Sequence, residues 1–443
     1  MPYFGRPRLT SFQIILLGFL AAIVLGAALL ALPAASRDGE AATWLDSLFT
    51  ATSALCVTGL VVRDTARCWS LFGKTVILIL IQIGGLGVVT MATLLTVMAG
   101  KRVGLRQRSV LQESVAAPRL GGILRYTRFI LCATLALEAA GALTLLPVFA
   151  QVYGPWKGAG FAIFHAVSAF CNAGFDLMGE PAAFSSLTAW RANAAVNLVV
   201  MALIVLGGIG FGTLDDVRTH GFKLRHYRLQ SKLVLATSAV LILLPAVWYY
   251  CVELTALSGG ERVLAALFQS VTTRTAGFNT VDYAAMSEAG QLLTILLMLV
   301  GGSTGSTAGG MKTTTLAVLT LSAVAVFRRK PNPTAFGRTI GTETLRAASA
   351  ILSAYLALFL TASVVMSRVE GLPLLTAMFE AASAIGTVGL TLGVTPRLGT
   401  ASKLLLIFLM YFGRVGGLTL IFAALPKDGN ALAKFPEERV NVG

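Results

Sequence analysis

The sequence predicts an all-α polytopic membrane protein. Four repeats, each a transmembrane helix, a re-entrant pore helix with a turn, and a second transmembrane helix, would surround one pore. Three observations predict this. The 443 residues are 56% hydrophobic and only 12% charged, with a mean hydropathy of +0.78, whereas soluble domains carry about 25% charged residues. Eight apolar runs reach spanning length. A two-part glycine pattern recurs four times along the chain.

The runs lie near 11–32, 75–98, 129–150, 194–213, 233–252, 290–327, 347–366 and 403–425, and each is read as one transmembrane helix. The first follows Arg6 and Arg8 but is too long for the 7–15-residue apolar region of a signal peptide. Between alternate pairs of runs lie Ala42–Val57, Gly160–Cys171, Glu261–Thr273 and Leu372–Ile385. These segments are too short to cross and fit half-helices that enter and return. Each is followed by a glycine turn centred on Gly59, Gly174, Gly277 or Gly389. A second cluster follows each turn: Gly84-Gly-Leu-Gly87, Gly207-Gly-Ile-Gly210, Gly301-Gly-Ser-Thr-Gly305 and Gly413-Arg-Val-Gly416. The repeats are therefore placed at 1–100, 101–228 with its leading loop, 229–330 with its broken second helix, and 331–443 with the C-terminal tail.

Charge sets the orientation. Of 35 Lys and Arg, 22 fall in the N-terminus, the loops 101–128, 214–232 and 325–346, and the C-terminus, while 11 fall on the other side. The positive-inside rule then puts both termini in the cytoplasm. The basic balance is read as topology and contact with membrane lipid, with no nucleic-acid partner. Five cysteines show no CxxC pair and no zinc spacing.

Four turns around one point have a physical use. Glycine admits left-handed backbone, so carbonyls can be turned toward a common axis. Rings of carbonyls can replace the hydration shell of a monovalent cation, and each half-helix aims its partially negative C-terminal end there. The expected ion-binding residues are Thr58, Gly59, Asn172, Ala173, Gly174, Thr275, Ala276, Gly277, Thr387, Val388 and Gly389, which would hold K+ by backbone carbonyls. Below them, the stretch 301–315 interrupts the sixth run with five glycines and many hydroxyls. Broken backbone at membrane depth survives where it is buried in protein or lines a water-filled cavity. Gly302, Ser303, Thr304, Gly305, Gly309, Gly310 and Lys312, together with Arg414, are expected to form a gate. Arg414 occupies the register position of Gly85, Gly208 and Gly302. A charge at mid-membrane is expensive and usually functional. Arg414 is read as a barrier to cations, as a donor to the carbonyls of the broken segment, or as a structural arginine satisfied by helix ends. Lys312 either snorkels to the interface or pairs with carbonyls or a carboxylate.

Other polar residues are assigned more modest roles. Glu138, Glu380, Asp46 and Gln269 are expected to anchor half-helices, Asp176 and Asn279 to attract cations at the mouth, and His165 to be packed. Gly305-Ser-Thr-Ala-Gly-Gly-Met-Lys-Thr313 looks like a phosphate loop, but Met311 interrupts the Gly-Lys-[Ser/Thr] that the loop requires. No catalytic residue and no enzymatic activity are expected.

The stretches Ser53-Ala-Leu-Cys-Val-Thr-Gly-Leu60, Ser168-Ala-Phe-Cys-Asn-Ala-Gly-Phe175, Thr272-Thr-Arg-Thr-Ala-Gly-Phe-Asn279 and Ser383-Ala-Ile-Gly-Thr-Val-Gly-Leu390 resemble the filters of the Trk/Ktr/HKT potassium transporter superfamily. Eight spans make the chain most similar to the KtrB-type subunits. The resemblance implies potassium uptake across the bacterial inner (plasma) membrane, with sodium as a possible activator. It implies a homodimer with one pore per chain, and a cytoplasmic KtrA-like nucleotide-binding ring. No nucleotide would be bound by this chain itself, and the resemblance gives Arg414 the barrier role. A transporter of another monovalent cation, Na+, and an alternating-access carrier stand as the alternative readings.

Overall fold

The computed structural model describes residues 10–98, 104–115, 122–417 and 419. The predicted basic stretch Lys101–Val103 and the C-terminal tail lie outside the described residues.

The chain begins its first long helix, Ser11–Leu30, at a capping box. Thr10 accepts from the Gln13 backbone N–H at 3.3 Å, and the Gln13 side chain accepts from the Thr10 N–H at 3.0 Å. Three more long helices follow at Ile123–Tyr153, Leu229–Trp248 (continued by a π-turn to Glu253) and Thr342–Glu370. These four are long and apolar enough to cross a membrane. About a third or less of each spanning window is buried within the chain. The remainder presents rows such as Leu17, Leu20, Val24 and Leu25, or Val240, Leu243, Leu244 and Val247, outward. Helices with an apolar outer surface and internally satisfied backbones suit a lipid environment, and the protein is a multi-pass membrane protein.

Four shorter helices pack inside this frame at Trp44–Leu55, Pro155–Phe170, Gly259–Thr272 and Leu374–Ile385. They match the four half-helices read from the sequence. Each ends in a turn at the middle of the main core, where Leu55, Phe170, Thr272 and Ile385 are fully buried.

The helices after the turns differ from expectation. Leu71–Leu86 is followed by Val88–Met98 at 98° for the portion to Leu94, and Ala194–Gly208 by Phe211–His220 at 97°. Counting each bent pair as one crossing raises the membrane-crossing candidates to six. The predicted straight runs 75–98 and 194–213 thus bend at the last residue of their glycine clusters. Gly87 and Gly210 both take φ +87°, and Gly416, which ends the helix Thr400–Val415, takes φ +92°. Side chains rarely adopt this backbone region, whereas glycine enters it freely. In the third case the break is wide: Glu288–Met298 ends, a loop intervenes, and Thr313–Phe327 resumes. The segment before the second long helix also holds a helix, Leu105–Ser114, with Val110 and Leu111 buried. A two-stranded ribbon, Thr334–Ala335 with Arg338–Thr339, lies in the loop before the last long helix.

The first members of the glycine clusters explain how the half-helices sit so close. A Cβ at Gly84 would collide with the Leu55 carbonyl oxygen, at Gly207 with that of Phe170, and at Gly413 with that of Ile385. Three glycines therefore let three helices touch the C-terminal carbonyls of three half-helices directly.

Candidate functional site

The four turns share one backbone design. The residue two before each glycine is left-handed: Val57 at φ 57°, Asn172 at 58°, Thr275 at 66° and Thr387 at 51°. Each glycine is left-handed too, at φ 90°, 68°, 85° and 94° for Gly59, Gly174, Gly277 and Gly389. Three of the four non-glycine positions carry β-branched residues, for which positive φ is a genuine outlier. Such strain costs about 1–3 kcal/mol per residue and persists where the surroundings enforce it, often at functional sites.

The surroundings here are the other turns. A Cβ at Gly59 would lie 2.6 Å from the Ala173 carbonyl oxygen, and one at Gly174 would lie 2.7 Å from that of Ala276. One at Gly277 would strike the Val388 oxygen, and one at Gly389 the Thr58 oxygen. The four contacts close a cycle, so each glycine faces the carbonyl of the next turn. Among the described residues, the carbonyls of Thr58, Ala173, Ala276 and Val388 accept no hydrogen bond, although all four residues are fully buried. Buried carbonyls are normally paired. A ring of unpaired ones can take the place of a cation's hydration shell. The hydroxyls of Thr58 and Thr387 are likewise buried without a partner.

The N–H groups of the turns are spent holding it open. Thr58, Ala173 and Val388 donate to the carbonyls five residues back, of Ser53, Ser168 and Ser383, at 2.8, 2.7 and 2.8 Å. Ala276 instead donates to Thr272, four residues back, at 3.0 Å. The third turn is thus one residue shorter than the others. Hydroxyls at the matching positions complete the clasp. Ser53 and Ser383 accept from the N–H of Gly59 and Gly389 at 3.1 and 3.0 Å. Ser168 and Thr272 donate to the carbonyls of Phe175 and Phe278. Sequence reasoning overlooked these hydroxyls, although a Ser or Thr opens every one of the four quoted stretches.

One helical turn earlier, three side chains tie half-helix to exit segment. His165 Nε2 accepts from the Leu177 N–H at 3.3 Å while its Nδ1 contacts the Phe161 carbonyl at 2.7 Å. Gln269 bonds the Thr280 hydroxyl at 3.0 Å. Glu380 accepts from Leu392 N–H at 3.2 Å and from the hydroxyls of Thr391 and Thr395 at 2.5 and 2.7 Å. The anchoring role expected of Gln269 and Glu380, and the packed role of His165, agree with these contacts. Asp46 anchors differently, pairing with Arg63 at 2.9 Å and Lys403 at 3.3 Å. Burial works to raise its pKa, but hydrogen bonds from Arg63 and Thr43 and the Lys403 charge outweigh it and hold the carboxyl below its ordinary value. Glu138 contacts Gln82 at 3.3 Å and the Cys171 thiol at 3.7 Å, behind the second turn. Asp176 caps its own turn through the Met178 N–H at 2.8 Å, and Asn279 bonds the Val281 carbonyl at 3.2 Å.

Under the ring lies the broken segment. Its Gly301 approaches Thr275, and a Cβ at Gly309 would strike Thr387, so the loop touches two of the turns. It is bonded to its neighbours on several sides. Ser303 and Thr307 N–H donate to the Gly208 and Gly207 carbonyls at 2.9 and 3.2 Å, and Gly310 N–H donates to Gly413 at 3.0 Å. Gly305 in turn accepts from Phe211 N–H at 2.9 Å. Inside the loop, Ser303 pairs with Thr313 and Thr304 with Thr314, at 3.0 and 3.1 Å. Lys312 donates to the carbonyls of Ala308 and Gly309 at 2.7 and 3.3 Å, so of its two expected states the structure has the paired one. Arg414 donates to the Thr307 carbonyl of the loop and to the Gly84 and Gly85 carbonyls of the first glycine cluster. Thr307, absent from the sequence-based set, is a junction: its hydroxyl also donates to Phe170 O at 2.9 Å. On the far side of the loop from the turns is a cavity of about 440 Å³, lined by Thr304, Ser306, Lys312 and Arg414 among others.

Residues 9–432 match the family described as TrkH, cation transport protein. The chain is 41% identical over 449 residues to the potassium/sodium uptake protein NtpJ of Enterococcus hirae, covering 99% of this chain and 98% of that protein. It is 37% identical to the Ktr system potassium uptake protein B of Bacillus subtilis, covering 98% and 97%. The fold is similar to the crystal structure of the potassium transporter TrkH from Vibrio parahaemolyticus, with a TM-score of 0.75 at 20% identity over 96% of this chain and 87% of that one. By a match that spans nearly its whole length, the chain belongs to the TrkH family of cation transport proteins.

Proposed function

We propose that this protein carries potassium ions into the cell through the ring of four turns, with the loop 301–312 and Arg414 as the gate beneath it. The observation that carries the reading is the closed cycle of strained turns whose buried carbonyls have no hydrogen-bond partner among the described residues. A partly dehydrated cation supplies what those oxygens lack, and the C-terminal ends of four half-helices favour positive charge at the same point. The names of the relatives support potassium as the ion. The word sodium in the name of one relative keeps Na+ in view as an activator or second cargo.

The reading assigns eight crossings to four repeats divided after residues 100, 228 and 330. The two crossings beyond the six candidates are the pair Glu288–Met298 with Thr313–Phe327, joined through the loop, and Thr400–Val415, continued past Gly416. Both termini and the basic loops face the cytoplasm, and the half-helices enter from outside. Two chains associate as a homodimer, and a KtrA-like nucleotide-binding ring docks on the basic loops and regulates the gate. The naming of Ktr-system relatives supports that assembly.

Uptake of ⁸⁶Rb⁺ into proteoliposomes tests the filter. Gly277→Ser places a Cβ against the Val388 carbonyl at a φ of 85°, so K+/Na+ preference should fall by about tenfold, the effect of about 1.4 kcal/mol. Unchanged flux and preference in folded Gly277→Ser would overturn the filter reading.

A further inference from the structure

The cavity beyond the loop has three charged side chains in its described lining: Lys312, Arg414 and Glu113. The two cations are committed to backbone carbonyls of the loop and the first glycine cluster. Glu113 is different. It stands in the last turn of the helix Leu105–Ser114, whose Val110 and Leu111 are buried and fix the helix against its neighbours. Its own side chain is exposed, and among the described residues its carboxylate makes no hydrogen bond or ion pair. It is the sole carboxylate in the described lining. The remaining polar lining is hydroxyl groups, including Thr304, Ser306 and Ser114.

We propose that Glu113 is a cation-relay residue, which holds a hydrated monovalent cation in this chamber and offsets the field of Lys312 and Arg414. The proposal rests on the pore reading above and adds a station to it. A cation passing the loop meets two fixed positive charges, and without a counter-charge the chamber would repel it. Carboxylates lining cation channels raise the local cation concentration. A sphere of the cavity's volume is about 9 Å across, comparable to the Debye length of about 8 Å at physiological salt, so Glu113 acts on an ion anywhere in the chamber. Because the carboxylate stands apart from the turns, it alters the rate of passage and leaves ion preference to the ring.

The test is unidirectional ⁸⁶Rb⁺ flux in proteoliposomes made with the full chain, its E113Q, E113K and E113D variants, and G277S measured alongside. At low ionic strength E113Q should lower flux about three- to tenfold and E113K further, while E113D keeps parental flux. Raising ionic strength with choline chloride should bring E113Q to within about twofold of the parent by screening the remaining charges. K+/Na+ preference should not move in any Glu113 variant. Parental flux in E113Q at low salt overturns the proposal. A deficit that choline chloride does not relieve also overturns it, by assigning Glu113 to holding its helix. Failure of the filter reading has its own signature, an unchanged preference in G277S, and is read independently of the Glu113 result.

Discussion

Replacing Arg414 by Gln should open the pathway. The guanidinium donates to Thr307 O on the loop and to Gly84 O and Gly85 O on the first glycine cluster, so it joins the loop to the helix that follows the first turn. If the loop swings away, the bond to Thr307 is lost while those to that helix can stay. A hydrogen bond from a charged donor contributes about 1.5–3 kcal/mol, and the neutral bond that Gln can offer about 0.5–1.5 kcal/mol. The closed position therefore loses about 1–2 kcal/mol relative to the open one, which raises the opening constant about 5- to 30-fold. Removing a fixed positive charge from the pathway acts in the same direction. Initial ⁸⁶Rb⁺ flux per reconstituted transporter measures the effect, with size-exclusion profiles to verify assembly. Flux at or below the parental value in well-assembled Arg414→Gln would refute the idea that this side chain latches the loop.

Further outcomes follow from the same geometry. Deleting about ten residues from Gly302–Lys312 should raise flux and weaken regulation by a cytoplasmic partner ring; a folded deletion with low, fully regulated flux would place the gate elsewhere. Gly84→Ala drives a Cβ into the Leu55 carbonyl and should cost about 1–3 kcal/mol, seen as a lower thermal midpoint in detergent. Its control is Gly160→Ala, where a Cβ meets nothing within 4 Å, and which should hold or raise the midpoint because alanine is the better helix former.

Much of the site was legible because it depends on local chemistry repeated four times. Gly59, Gly174, Gly277 and Gly389 announce themselves by spacing, and the helices before them are too short to cross a bilayer. The bend at Gly87 was missed because Val88–Met98 after it is as apolar as a spanning run, and that at Gly210 because it falls three residues before the end of the apolar run 194–213; hydropathy records the cost of leaving water and is blind to φ. The one-residue shortening of the third turn was also hidden. Thr272-Thr-Arg-Thr-Ala-Gly277 carries one residue fewer than Ser168-Ala-Phe-Cys-Asn-Ala-Gly174, yet only the hydrogen bond from Ala276 to Thr272 reveals where the residue is missing. Helix Leu105–Ser114 looked like part of a basic loop, since its charges outnumber the two apolar side chains, Val110 and Leu111, that bury it. Arg414 was readable as an exception within a glycine register. Its acceptors were not, since they lie about 100 and 330 residues away in the chain.

The bonds of the broken segment have a mechanical consequence. It is fastened to Gly207 and Gly208 on one wall, to Gly413 on another, and through Arg414 to Gly84 and Gly85 on a third. If the segment is the gate, then like a keystone it would be released only when these walls move apart together. Shifting one wall by a fraction of an ångström strains some of these bonds while the others still hold, so small independent motions leave it seated. A concerted outward movement breaks them together. Such a part answers to the sum of the displacements around it, and its response should be abrupt in that sum even when each contribution is gradual.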